Sequence, residues 1–253
     1  MTIAIVTGAS KGLGKSVAKF LLESNIDVFG VSRTNDESLE EVAAQSGATY
    51  TFFPTDLANI EDVKKTMEQI KEKVYAMEGL SQMYVVNNAA VVEPIKKSLH
   101  ILPEELMTHY HVNVVAPMIL MNEFLHVSMK RGFQLIGVNV TSGAAESPYY
   151  GWSAYCSSKA SLNMYTKTVA LEQEKLGTSN KVFAFSPGKM DTEMQGVIRS
   201  TDYEHFVDVD TFKHYKQQNI LSDTEAVASV LTDILTDAAT IENGKVYYVR
   251  DYF

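Results

Sequence analysis

Tyr155 and Lys159 stand four positions apart in the run Gly151-Trp152-Ser153-Ala154-Tyr155-Cys156-Ser157-Ser158-Lys159. On a helix that spacing puts both side chains on one face, one turn apart. A free phenol titrates near about 10 and is a poor proton carrier at neutral pH. An ammonium beside it favours the phenolate and pulls that value down, the tuning a tyrosine needs for acid–base work. The pair is a candidate proton donor with its tuner, although any amphipathic helix can present the same spacing.

A second chemistry-bearing stretch lies at the start of the sequence. The apolar run Met1-Thr2-Ile3-Ala4-Ile5-Val6 suits a buried parallel strand, and Thr7-Gly8-Ala9-Ser10-Lys11-Gly12-Leu13-Gly14 follows it. Lys15 to Glu23 then carries helical periodicity. Strand, glycine-rich turn and helix in that order open a dinucleotide-binding unit. Gly8 permits the tight turn, Gly12 lets the backbone approach a pyrophosphate, and Gly14 allows close helix–strand packing. The helix N-terminus offers free N–H groups and a positive dipole end to phosphates.

The elements that must position these groups can be read along the rest of the chain. Apolar, β-branched runs predict strands near 3–7, 27–32, 49–53, 83–87, 135–141, 181–186 and 245–249, with helical patterns between them. Alternation of this kind predicts an α/β fold: a Rossmann-type doubly wound parallel sheet in three α/β/α layers, as one domain spanning 1–253. Right-handed crossovers then place ligand and chemistry at the carboxyl ends of the strands, where each motif above falls.

Composition narrows the function classes. A formal charge of −9 argues against nucleic acid or an anionic membrane as a bulk partner. No apolar run approaches membrane-spanning length in this reading, and no cleavable signal pattern is visible, so the expected location is cytoplasmic. Cys156 is the only cysteine, which fits a reducing compartment and reads as packing. The six histidines lack metal-ligand spacing, His109 and His111 facing apart on a helix, so no metal site is expected.

Together these motifs resemble the short-chain dehydrogenase/reductase family over essentially the whole chain. Thr7 to Gly14 is similar to its cofactor motif, and Asn87-Asn88-Ala89-Ala90 to its Asn-Asn-Ala-Gly motif, with Ala90 in place of glycine. The resemblance implies a catalytic set of Asn113, Ser142, Tyr155 and Lys159, Ser142 closing the apolar strand that begins at Leu135. It implies a nicotinamide dinucleotide held by Gly8, Ser10, Lys11, Gly12, Leu13, Gly14, Asp56, Leu57, Asn88, Ala89, Tyr155, Lys159, Pro187, Gly188, Met190 and Thr192. Thr192 has a second reading, as a helix N-cap beside Asp191. Asn113 is implied to help hold a water relay that restores the proton.

The cofactor form is read from Arg33, which follows the second strand where NAD-preferring folds usually place an acidic residue. An arginine there can pair with a 2′-phosphate, joined by Ser10 and Lys11, and the expected cofactor is NADPH. The other reading of Arg33 is a solvated loop residue.

For the substrate, Gly151-Trp152-x-x-Tyr155-Cys156 and Asp191-Thr192-x-Met194-Gln195 resemble the sepiapterin reductases of this family. Ser142-Gly143-Ala144 and Pro148-Tyr149-x-Gly151-Trp152 resemble its bacterial benzil reductases. Both types reduce a carbonyl of a vicinal dicarbonyl or related ketone, and the small-molecule substrate expected here is a benzil-type diketone. Ser142, Tyr149, Trp152, Met194 and Phe206, with Met190, are candidates for the substrate wall. The polar, weakly periodic segment about 190–221 is expected to be a lid, mobile until cofactor binds. The apolar stretch from Glu104 to Lys130 is expected to build a homodimer interface, as the resemblance implies. A β-ketoacyl-carrier reductase, a secondary-alcohol dehydrogenase and a non-catalytic NADPH sensor remain as alternatives, and the intact catalytic set weighs against the last.

Overall fold

The computed structural model describes residues 1–253. Seven strands, β1 (Thr2–Thr7), β2 (Asp27–Ser32), β3 (Tyr50–Pro54), β4 (Gln82–Asn87), β5 (Gln134–Val140), β6 (Lys181–Ser186) and β7 (Val246–Tyr248), form one sheet. Their order is β3-β2-β1-β4-β5-β6-β7, and every pairing is parallel. The helices are α1 (Gly12–Glu23), α2 (Ser38–Ser46), α3 (Ile60–Ala76), α4 (Pro103–Tyr110), α5 (Ala116–Arg131), α6 (Ser153–Lys175), α7 (Glu193–Arg199), α8 (Val209–Gln217) and α9 (Thr224–Thr236).

Strand alternation assigns each side of the sheet its own core. Ala4 and Val6 of β1 face one layer with Leu21 and Leu22 of α1 and Leu231 of α9. Ile3 and Ile5 face the other with Ile70 of α3, Phe124 of α5 and Val169 of α6. Both faces are therefore covered, which is why the strands read as continuous apolar runs. The chain order reverses direction between β1 and β4, opening a crevice at their carboxyl ends. The strands and the three-layer architecture expected from the sequence are those observed.

Segment 190–221, expected as a lid, forms α7 and α8, with Phe206 and Val209 fully buried. Its periodicity is masked because only a few large side chains anchor each short helix. One expectation needs correction, that no apolar run approaches membrane-spanning length. Pro103–Arg131 is one continuous helical stretch of 29 residues, apolar and long enough to cross a membrane by length and composition. Its apolarity serves the interior instead, 61% of its most apolar window being buried in the fold. A π turn (His111–Val115) interrupts it, with the Ala116 N–H bonded to the His111 carbonyl.

Candidate active site

The glycine turn leaves β1 and enters α1 with Gly8 and Gly12 at positive φ, 69° and 55°. A side chain at Gly8 would meet Asn88 Nδ2 at 2.9 Å, and one at Gly14 would collide with the Gly8 carbonyl and the Asn88 amide. Asn88 needs that space because Nδ2 donates to the Thr7 carbonyl at 3.0 Å, while Thr7 Oγ1 accepts from the Asn88 and Ala89 N–H groups. The ends of β1 and β4 are thereby stitched side by side. Above Gly12 the first neighbour of an added Cβ would be Thr192, at 3.6 Å. The start of α1 has no side-chain cap and no acidic residue in its first turn, so its N–H groups and dipole end stay free for an anion. A dinucleotide pyrophosphate fits this cradle.

Around it, Arg33 is exposed just past β2, and Asp36 nearby pairs with Lys15 at 2.6 Å. Asp56 is exposed and turns the chain by accepting the Ala58 N–H, while Leu57 is buried in the core beneath. Pro187 is buried and Gly188 exposed after β6, Gly188 at φ 70° with Val249 packed behind it. Met190 is half-buried and bridges to Ser222. Thr192 caps α7 by accepting the Gln195 N–H at 3.4 Å, so its N-cap reading and its place over Gly12 both hold. Lys11 pairs with the exposed carboxylate of Glu193 in α7. Ser10 is half-buried in the same turn.

Ser142 follows β5 and caps a 3₁₀ turn, its Oγ accepting the Ala144 N–H at 3.2 Å. Tyr155 and Lys159 lie on α6, buried on one face as the spacing predicts. Lys159 Nζ donates to the Val140 carbonyl at 2.9 Å and sits 5.8 Å from the centre of the Tyr155 ring. In the protein alone, burial governs both groups. Burial pushes the Tyr155 phenol up to about 12, against a downward pull from the Ser142 hydroxyl, and Lys159 is not a cause of its shift. Burial also depresses Lys159 to about 8. Desolvation outweighs the charge pair because Nζ is bonded to a carbonyl rather than aimed at the phenol. The protein alone thus holds Tyr155 firmly protonated, as a proton donor must be.

Asn113 is completely buried in the π turn. Its Oδ1 accepts the Val91 N–H at 2.8 Å and its Nδ2 donates to the Val91 carbonyl at 2.7 Å and to His109 Nε2 at 3.0 Å. The side chain therefore has no N–H left for a water. The carbonyl is different: Pro117, four residues on, has no N–H to give it.

The proposed substrate wall is only partly open. Trp152 stacks on Phe206 with ring centres 4.8 Å apart, and Tyr149, Tyr155 and Phe212 pack at its edges and remaining face. Trp152 and Phe206 are buried, so they join α6 to the overlying segment rather than lining free space. Tyr149, Met194 and Ser142 remain half-buried beside Tyr155. Gly151 takes φ 81° because the His205 carbonyl occupies the place of a Cβ.

Two participants went unread in the sequence. His109, dismissed with the other histidines for want of metal spacing, is fully buried against Asn113 and Ser158. The signal was its position four residues before Asn113, one turn away on the same helix face. Ser158 donates to the Tyr155 carbonyl at 2.8 Å.

The model for short chain dehydrogenases matches residues 2–203. The chain belongs to the short-chain dehydrogenase/reductase family. It is 36% identical over its whole length to the whole of a Bacillus subtilis protein named benzil reductase ((S)-benzoin forming). It is 28% identical to sepiapterin reductase of Bos taurus, over 92% of this chain and 89% of that one. A solved short chain dehydrogenase/reductase from Saccharomyces cerevisiae superposes with TM-score 0.81 at 26% identity, covering 98% of this chain and 96% of that one. As a member of this family the protein is an oxidoreductase, a carbonyl reductase acting on a small molecule with a nicotinamide cofactor.

Proposed function

We propose that this protein is an NADPH-dependent reductase of vicinal diketones, converting a benzil-type substrate to an (S)-benzoin-type hydroxyketone. The observation that carries the reading is the buried Tyr155 and Lys159 pair with half-buried Ser142, beside a glycine cradle with a free helix N-terminus. The full-length likeness to a benzil reductase supports the substrate class. Exposed Arg33, standing just past β2 where an acidic residue would hold the ribose hydroxyls, supports the 2′-phosphate form of the cofactor.

In this reading Gly8, Gly12 and Gly14 with the first turn of α1 hold the pyrophosphate, and Arg33, Ser10 and Lys11 hold the 2′-phosphate. Taking the 2′-phosphate requires Lys11 to leave Glu193. Asp56, Leu57, Asn88 and Ala89 line the adenine and ribose side. Pro187, Gly188, Met190 and Thr192 line the nicotinamide side. The bound cofactor supplies the hydride for the carbonyl carbon. Ser142 donates to the carbonyl oxygen and stabilises charge as it develops. Tyr155 gives its proton to the same oxygen, leaving a hydroxyl on the product and a phenolate on the enzyme. Lys159 steadies that phenolate and the cofactor ribose, and the proton returns through a water on the Asn113 carbonyl. Tyr149 and Met194 offer a flat aromatic and sulfur surface for the substrate's second ring.

Homodimer formation belongs to the same proposal. Leu106 and Met107 of α4 and Met164 and Leu171 of α6 are exposed apolar side chains on helices flanking the site. A monomeric mass by light scattering at working concentration would rule it out.

The deciding experiment presents benzil, 1-phenyl-1,2-propanedione and sepiapterin with NADPH or NADH and resolves the products by chiral chromatography. Faster use of NADPH and an (S)-hydroxyketone from the diketones support the proposal. NADH preference, or turnover of sepiapterin alone, overturns it.

A further inference from the structure

His109 is a buried titratable group that the chemistry above does not use. Its ring is fully enclosed between α4, the π turn and α6. Nδ1 lies 2.6 Å from the Glu93 carbonyl, and Nε2 lies 3.0 Å from both Asn113 Nδ2 and Ser158 Oγ. A carbonyl can only accept, so Nδ1 carries the proton. In the neutral ring Nε2 is then an acceptor, and it takes an N–H of the Asn113 amide. The other Asn113 N–H goes to the Val91 carbonyl, and Oδ1 takes the Val91 N–H. With His109 in this tautomer the Asn113 amide has one orientation only. A doubly protonated ring would set two donors against each other at Nε2.

We propose that His109 is a positioning residue that acts through Asn113, its neutral Nε2 locking the amide and holding the π turn against the catalytic helix. This rests on the reductase reading for its catalytic consequence, not for its geometry. Burial holds His109 below the usual histidine range, and the Lys159 ammonium pushes the same way. The Glu93 carboxylate opposes them but is exposed. The Tyr155 ring, edge-on at 6.2 Å, adds no charge while protonated. With Nδ1 donating and Nε2 accepting, the ring serves as a neutral positioning group and moves no proton itself.

The test compares His109→Phe, which keeps a flat ring and loses both polar functions, with His109→Gln, whose amide carries a donor and an acceptor. One readout needs no activity. Hydrogen exchange at the Val91 N–H speeds up by about 10-fold or more in His109→Phe and stays near wild type in His109→Gln. The other is kinetic. In His109→Phe, kcat falls by at least about 10-fold with KM for cofactor and diketone little changed, and His109→Gln restores most of it. The pH profile of kcat/KM for His109→Gln overlays that of wild type. Nitrogen-15 spectra of the wild-type protein show Nδ1 protonated and Nε2 bare from about pH 6 to 8. An Nε2-protonated ring, unchanged Val91 exchange in His109→Phe, equal impairment of the two variants, or an ionisation lost in His109→Gln overturns the proposal. If wild type reduces no carbonyl, the reductase reading fails while the exchange and nitrogen-15 results still decide the role of His109.

Discussion

The floor of the cleft and the segment that covers it are held by different forces. The floor, at the carboxyl ends of β1, β4 and β5, is fixed by directional bonds among buried polar groups. Thr7 binds Asn88 and Ala89, Asn113 binds Val91, and Lys159 binds Val140. The cover, from Met190 to Ser222, is held by aromatic packing and by ion pairs near solvent. Phe206 stacks on Trp152, Lys11 pairs with Glu193, and Lys216 pairs with Asp191 at 2.5 Å. Directional bonds specify atoms to a fraction of an ångström, which proton transfer needs. Packing and exposed ion pairs hold a surface in place without fixing single atoms, and the proposed role of this segment over the substrate asks no more of them.

Removing the aromatic contact is the strongest way to break this contrast. Phe206→Ala should cost about 3–5 kcal/mol in urea unfolding, because a fully buried ring leaves a cavity. The loss should appear with a raised diketone KM and little change in cofactor affinity. A cost under about 1 kcal/mol would mean that Trp152 does not anchor the cover.

The floor should respond in the opposite direction. Lys159 has a folded value of about 8, below the ordinary lysine value near about 10.4. The unfolded chain therefore binds the proton more tightly, and this group weighs against folding at pH 7. Its burden shrinks as pH rises from about 8 and is gone above about 10.4. Lys159→Met should abolish activity yet stabilise the protein by about 1–3 kcal/mol at pH 7, with the gain vanishing near pH 10.5. Thermal unfolding at the two pH values checks it, and a destabilised variant at pH 7 would contradict it.

Smaller effects sharpen the same picture at the cleft mouth. Arg33→Ala should weaken NADPH by about 10-fold in fluorescence titration and leave NADH within about 2-fold, since one charge-assisted phosphate contact is removed. Glu193→Gln should change stability by less than about 1 kcal/mol, because its pair with Lys11 is solvent-exposed. It should also tighten NADPH slightly by freeing Lys11. Weaker NADPH binding would show that the Lys11–Glu193 pair helps to hold the cofactor site together.

Much of the floor was legible because local words encode it. Gly8, Gly12 and Gly14 need backbone space that only glycine allows, and Tyr155 with Lys159 declares a helix face. What stayed hidden depends on partners distant in sequence or without side-chain identity. Besides His109, Asn113 is held by the Val91 backbone, which no residue type announces. Lys11 met Glu193 rather than a phosphate-side neighbour, and Trp152 met Phe206 rather than open space, because both partners arrive on the cover. The upward push on Tyr155 in the protein alone was hidden for a different reason: spacing reports proximity but not burial, and here burial dominates.

In the proposed reaction Tyr155 delivers the proton while the rest of the cleft binds and positions. This is decided by following loss of NADPH absorbance with benzil for wild type and Tyr155→Phe, with NADPH affinity measured on both. Wild type should turn over, the variant should lose at least about 100-fold, and the NADPH affinities should lie within about 3-fold of each other. Turnover retained by Tyr155→Phe, or none by a wild-type protein that binds NADPH, would contradict it.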